Sequence, residues 1–305
     1  MVDRTTPTTG PSTGLRLAGP GLFKSLLHDR VTALFTGLAL ILIAFGLVFP
    51  TIVHSDGATL VALFAIALVG LPHGALDVHL AVRSRLPRRE ALLIYGAILG
   101  LGSVAWLTVP TALICLFLGL SVWHFSRDFV ALGSVTALGV AASLLMSPVL
   151  AFPAETQAIF AMLMPDAQAA RLVAGVGATW PLVLATAGLL VLRSVTHPAL
   201  VLAAGLAITA GFFLPPIVAF ALYFCAWHSA GHLRAVFTET RATRFSLGEA
   251  ALYAALTLAV LAGLVATWSW MAFDAPMIRA VFGLLVILTL PHMAIVELWQ
   301  RRLKG

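Results

Sequence analysis

Long apolar runs alternate with short polar or proline-bearing breaks along almost the whole chain. A helix that crosses a bilayer needs about 20 apolar residues. Ten such segments can be drawn, roughly at 32–53, 58–82, 89–108, 111–129, 131–152, 170–192, 198–214, 216–238, 247–270 and 277–301. Their breaks carry turn or charge signals: Ser55-Asp56-Gly57, Pro87-Arg88-Arg89, Pro110, Pro153, Pro198, Pro215-Pro216 and Asp274-Ala275-Pro276. The weakest signal is at residues 128–131, and the seventh segment is short enough to be tilted, broken or re-entrant. No stretch alternates with a polar lumen face, so a barrel is not expected. The pattern predicts an all-α fold, a polytopic transmembrane helical bundle of about ten helices, with residues 31–305 as a single transmembrane domain. Residues 1–30 form a tail, and the Thr, Pro and Gly content of its first 20 positions reads as disordered. The first apolar run starts near Val31 and is long enough to span, so it is expected to remain as a helix and not to be removed as a signal.

Composition agrees with this reading. Of the 305 residues 61% are hydrophobic and 10% charged, against roughly 45–50% and 25% in soluble domains. A net charge of +6 points, in such a chain, to orientation and anionic-lipid contact and away from nucleic acid. Cytoplasmic flanks of membrane helices collect lysine and arginine. If the N-terminus is cytoplasmic and ten helices follow, all 18 Lys and Arg residues except Arg171 and Arg279 fall inside. This predicts a multi-pass protein of the cell (inner) membrane with both termini in the cytoplasm. Cys115 and Cys225 lie inside apolar runs and read as packing residues without a disulfide.

Nine histidines change the picture. His28, His54 and His197 sit in tails or turns and read as ordinary solvated side chains. His73, His79, His124, His228, His232 and His292 sit inside predicted helices, where ionisable groups are costly and tend to mark function. Five of them (all but His79) fall on the second, fourth, eighth and tenth segments, which run from outside to inside in this topology. At 1.5 Å per residue each lies roughly 6–15 Å from the cytoplasmic helix end. Isolated core histidines have no reason to share a level, whereas metal ligands do. His228 and His232 in WHSAGH are four apart and share a helix face, while His124 in WHFSRD and His73 in GLPHGALD supply imidazoles from other helices. Neutral imidazoles suit a divalent transition metal; iron, zinc and copper stay open on this evidence.

Carboxylates follow at helical spacing: Asp77 after His73, Asp128 after His124 and Glu297 after His292. Metal-bound histidines usually pass their other N–H to such a group. Asp77 and Glu297 are read in that role. Asp128, beside Arg127, reads equally well as half of an interfacial ion pair. His79 reads as a supporting or an interfacial group. Prolines before His73 and His292 bend their helices or merely pack, and Gly70 and Gly74 allow a neighbouring helix to approach. L-P-H occurs at 71–73 and 290–292, and W-H at 123–124 and 227–228, a hint of internal repetition. Trp123, Phe125, Phe129, Tyr223, Phe224, Trp227 and Trp299 cluster near the histidines, as tunnel lining or as core.

GLPHGALDVH, WHFSRD, WHSAGHL and LPHMAIVE, in this order, resemble the Brp/Blh family of membrane β-carotene 15,15′-dioxygenases. The motifs span residues 70 to 297. The resemblance implies cleavage of β-carotene with O₂ at its central double bond, giving two retinals. It implies Fe(2+) held by His73, His124, His228 and His232. His292, with Asp77, Glu297, Trp123, Tyr223 and Trp227, then supports the ligands or faces substrate. Gly231 stands where an arginine is common in the family. Membrane lipid would deliver the substrate, and retinal could pass to a rhodopsin. Rival readings are a di-iron desaturase or hydroxylase, a transporter, and a non-catalytic factor of rhodopsin biogenesis. A desaturase would show several histidine boxes where this chain has one pair. A transporter would carry polar groups across the full bilayer depth.

Overall fold

The structure, a computed structural model, describes residues 20–193, 196–240, 244–270 and 275–304, and these contain helices and no strand. In chain order the first elements are α1 (Pro20–Val48), α2 (Pro50–Val53) and α3 (Asp56–Ala65). A π-helical turn (Ile66–Gly70) and a 3₁₀ segment (Leu71–Leu76) then lead into α4 (Asp77–Arg83). α5 (Arg88–Thr108) and α6 (Pro110–Ser126) follow, then a 3₁₀ segment (Arg127–Leu132) and α7 (Ser134–Ala151). Next come α8 (Pro153–Ala161), α9 (Asp166–Gly177), α10 (Trp180–Arg193) and α11 (Pro198–Phe213). α12 (Pro216–Tyr223) continues through a second π-helical segment (Phe224–Ser229) into α13 (Ala230–Thr240), followed by α14 (Arg244–Trp270) and α15 (Pro276–Lys304). Proline opens α1, α2, α6, α8, α11, α12 and α15. At a helix start its missing N–H costs nothing and its fixed φ is already helical.

Among the described residues seven helices are long and apolar enough to cross a membrane, or eight if the bent pair α9 and α10, angled at 44°, forms one span. The chain is thus a multi-pass membrane protein, but the count falls short of the ten spans expected. Two segments account for the difference. α11 has only 16 residues. The stretch from α12 to α13 is interrupted by its π segment and diluted by histidines. Between the fifth and sixth expected segments, residues 153–161 form α8. The weak break near 128–131 resolves as the turn at Gly133, whose φ of +89° is open to glycine at little cost. Of the tail, residues 1–19 lie outside the described residues, while from Pro20 the chain is already helical.

α7 packs against α6, α10 and α11, and α11 against α1. Small residues bring these backbones close, as membrane helices require. A β-carbon on Gly139 would lie 2.5 Å from the Thr186 hydroxyl, and one on Gly211 would meet the Ser147 side chain. α8 and α9 pack against each other, and Leu163, Met164 and Ala169 meet Ile114 of α6. The two π segments also pack against one another, which sets the stage for the histidines they carry or precede.

Candidate metal centre

π-helical turns insert an extra residue into the helical ladder and often occur at functional sites. Here each of two broken helices carries histidine at or just after its π segment. In the first, the π turn gives way to a 3₁₀ segment at Pro72, which has no N–H to donate, and His73 follows at once. Its Nδ1 bonds the Gly70 carbonyl of its own helix. In the second, His228 lies within the π segment and His232 in the first turn of α13. Close packing holds the two breaks together. A β-carbon on Gly70 would sit 2.5 Å from the Phe224 ring. That ring stacks on His228, with centroids 5.8 Å apart and planes at 12°, and meets His73 edge-on at 5.3 Å.

Five imidazoles from four regions of the chain form one group. His73 lies 5.6 Å from His228, 5.7 Å from His232 and 4.7 Å from His292, centroid to centroid. His124 lies 4.9 Å from His228 and 5.4 Å from His292. His232 and His292 are 5.1 Å apart. His292 therefore stands among the rings, in contact with three of the other four. His73, His124, His228 and His292 are buried and His232 is half-buried. His79, further along α4, is half-buried and adds no ring to the group. His54 pairs instead with Glu155 at 3.6 Å.

The carboxylates sort differently from their sequence spacing. Asp77, 1% exposed, accepts from Nδ1 of His292 at 2.9 Å, not from His73. Asp128 accepts from Nδ1 of His228 at 3.0 Å and from the Tyr223 hydroxyl at 2.7 Å. Glu297 bonds Arg127 at 2.5 Å, and Arg127 lies 4.3 Å above the Trp123 ring. Asp128 is therefore not the partner of Arg127, and Glu297 is not the partner of His292. The cause is orientation: a carboxylate one turn beyond a histidine shares its face, so it points across the bundle toward a ring on another helix. Asp77 and Asp128 each reach the second copy of the motif they follow, from the first L-P-H to His292 and from the first W-H to His228. Tyr95 also donates to Asp77, at a long 3.4 Å. The chain has three tyrosines, and two of them serve these two carboxylates.

Ionised carboxylates only accept, so Nδ1 of His228 and His292 donates to them, and in a neutral ring Nε2 then keeps its lone pair. Nε2 of His124, His228, His232 and His292 is buried with no hydrogen-bond partner. A buried polar atom without a partner costs roughly 1–3 kcal/mol. Four unpartnered Nε2 atoms on rings that pack together fit a metal-binding set of imidazoles, though Nε2 of His79, outside the group, is unpartnered as well. One atom from each of Asp77, His232 and His292 also lies within 4.8 Å of the others, close enough to hold an ion. A donor set of imidazoles fits a divalent transition metal.

A family model described as beta-carotene 15,15′-dioxygenase matches residues 64–300. The chain belongs to the β-carotene 15,15′-dioxygenase family. The matched region runs from the end of α3 to the end of α15 and holds all five clustered histidines, Asp77 and Asp128. Searches of curated proteins and of solved structures found no match. A β-carbon on Gly231 would meet nothing within 4 Å. Of the aromatic residues read as tunnel lining or as core, Phe125 and Phe224 pack on the histidine rings. Trp227 is buried against Phe35 and Phe129, at 4.7 and 5.3 Å. Trp123 is part-exposed beneath Arg127, and Tyr223 is engaged by Asp128.

Proposed function

We propose that this protein cleaves β-carotene at its central 15,15′ double bond with O₂ and releases two all-trans-retinal molecules. The observation that carries the reading is the packing of five histidine rings into one largely buried group in a chain of this family. His73, His124, His228 and His232 would hold ferrous iron. The position of His292 among the rings, with Asp77 on its Nδ1, supports counting it with them. Ferrous iron with open coordination positions supplies activation of O₂.

The protein's own contribution is positional. Asp128 and Asp77 fix the tautomers of His228 and His292, which a hydrocarbon environment would otherwise leave free to flip. Their negative charge offsets that of a dication at low dielectric. Buried apolar side chains beside the rings, Phe125 and Phe224 among them, keep water from the site. The substrate has no group to ionise, and no general acid or base is assigned. Holding one double bond of a polyene beside the histidines is a problem of shape.

The test is expression in bacteria that make β-carotene, followed by pigment extraction. Loss of colour with retinal formed is expected. Unchanged β-carotene with the protein present in membranes would sink the reading. Metal analysis of purified His124→Ala, His228→Ala and His292→Ala should show iron falling at least ten-fold.

A further inference from the structure

A cavity of about 260 Å³ lies beside the histidines, walled by the Leu71–Leu76 segment with the start of α4, and by α5, α14 and α15. Its inner end is formed by His73, Asp77 and His292. Its outer walls are helical faces at three- and four-residue spacing: Leu92, Tyr95 and Leu99 on α5, Leu256 and Val260 on α14, and Leu288 on α15. Leu92, Leu256 and Val260 are 42%, 53% and 52% exposed and face the space that lipid occupies around a membrane bundle. α5 and α14 are also the two least buried of the seven spanning helices, with 11% and 6% of their windows buried. α5 packs against α15, and α14 against the Leu71–Leu76 segment and α15, with little packing between α5 and α14 themselves. At one end they are tied by the ion pair of Arg88 with Glu249, and Arg88 also bonds Tyr253.

The chemistry of the walls selects the occupant. The hydroxyls of Thr257 and Thr289 are taken up by carbonyls of their own helices, Tyr253 O at 2.9 Å and Leu285 O at 2.6 Å. Tyr95 is directed to Asp77 and Tyr253 to Arg88. Away from the histidine end, the walls thus offer no polar group in search of a partner, which a sugar, nucleotide or ion would need. The volume is below the roughly 300 Å³ of the smallest drug-sized pockets. It suits one part of a long hydrocarbon whose remainder stays in lipid.

We infer that the gap between α5 and α14 is a lateral portal through which a carotenoid passes from the bilayer to the histidines. The inference rests on the function proposed above and assigns its access route.

The test compares Leu256→Trp and Val260→Trp with Leu107→Trp, a control on α5 that is 81% exposed and outside the cavity walls. Each protein is purified without oxygen from cells that make β-carotene. Retained carotenoid is read by absorbance, metal by elemental analysis, and retinal after oxygen is added. Both cavity variants should lose retained carotenoid and retinal formation at least ten-fold with metal unchanged, while the control keeps all three. Leu256→Phe and Val260→Phe carry the same comparison if the tryptophans do not accumulate. Retinal formation undisturbed by the bulky residues would overturn the portal and leave the activity standing. Carotenoid retained by wild type, lost in the cavity variants and never cleaved would support the portal and sink the activity.

Discussion

Asp128 touches both the Tyr223 hydroxyl and Nδ1 of His228, so its charge fixes which nitrogen of that ring carries the proton. Replacing such a partner typically costs 10–100-fold in metal affinity. Asp128→Asn should weaken iron binding by roughly that factor, and Tyr223→Phe by less, since only one hydrogen bond to the carboxylate is lost. Competition titration with a chelator measures both. Equal affinity in wild type and Asp128→Asn would reduce Asp128 to a structural hydrogen bond. Six histidines could be singled out in the sequence because ionisable groups inside apolar runs stand out, and five of them lie together. The pairing of Asp77 with His292, across 215 positions, could not. Residue spacing reports which groups share a helix face, while the partner depends on which helix that face meets.

Gly70 and Phe224 join the two interrupted helices. A larger residue at Gly70 must displace the ring that stacks on His228 and meets His73 edge-on. Overpacking of this kind costs typically 1–3 kcal/mol. Gly70→Val should lower thermal stability by about that amount and reduce bound metal, measured on the same preparation. Gly231→Ala, with open space around it, should leave both unchanged. Helix starts were largely legible, since prolines at 110, 153, 198, 216 and 276 mark them in the sequence and open helices in the structure. The π segments were not. Nothing in IALVG or FCAWHS distinguishes a π turn from an α turn, because the extra residue is accommodated by packing between the two segments and not by local preference.

At the scale of the molecule, orientation follows from charge and from the number of crossings. With the first helix entering from the cytoplasm, an even number of spans returns the C-terminus to that side. Seven long helices alone would not; counting α9 and α10 as one span, with α11 and the α12–α13 stretch as two more, would. A reporter active only in the cytoplasm, fused after residue 305, should therefore be active, and one inserted at Gly57 should be silent. The opposite pattern would refute the ten-crossing topology. The Arg127–Glu297 bond at 2.5 Å ties the end of α6 to α15, and so joins the helices that carry His124 and His292.

Apolar runs of bilayer length are read directly from composition, because lipid demands a helix whose backbone bonds are satisfied within the segment. The sequence by itself thus determined an all-helical membrane protein, the histidines worth examining and the resemblance that named a family. Tertiary structure decided how many helices are long and straight enough to span. It also decided which carboxylate meets which imidazole and that His292 stands inside the group. The cavity emerged there too, since its walls come from separate parts of the chain and only their packing leaves a gap between α5 and α14. Those are properties of contacts between distant segments, set by which faces meet after the helices pack, and a pattern along one chain does not contain them.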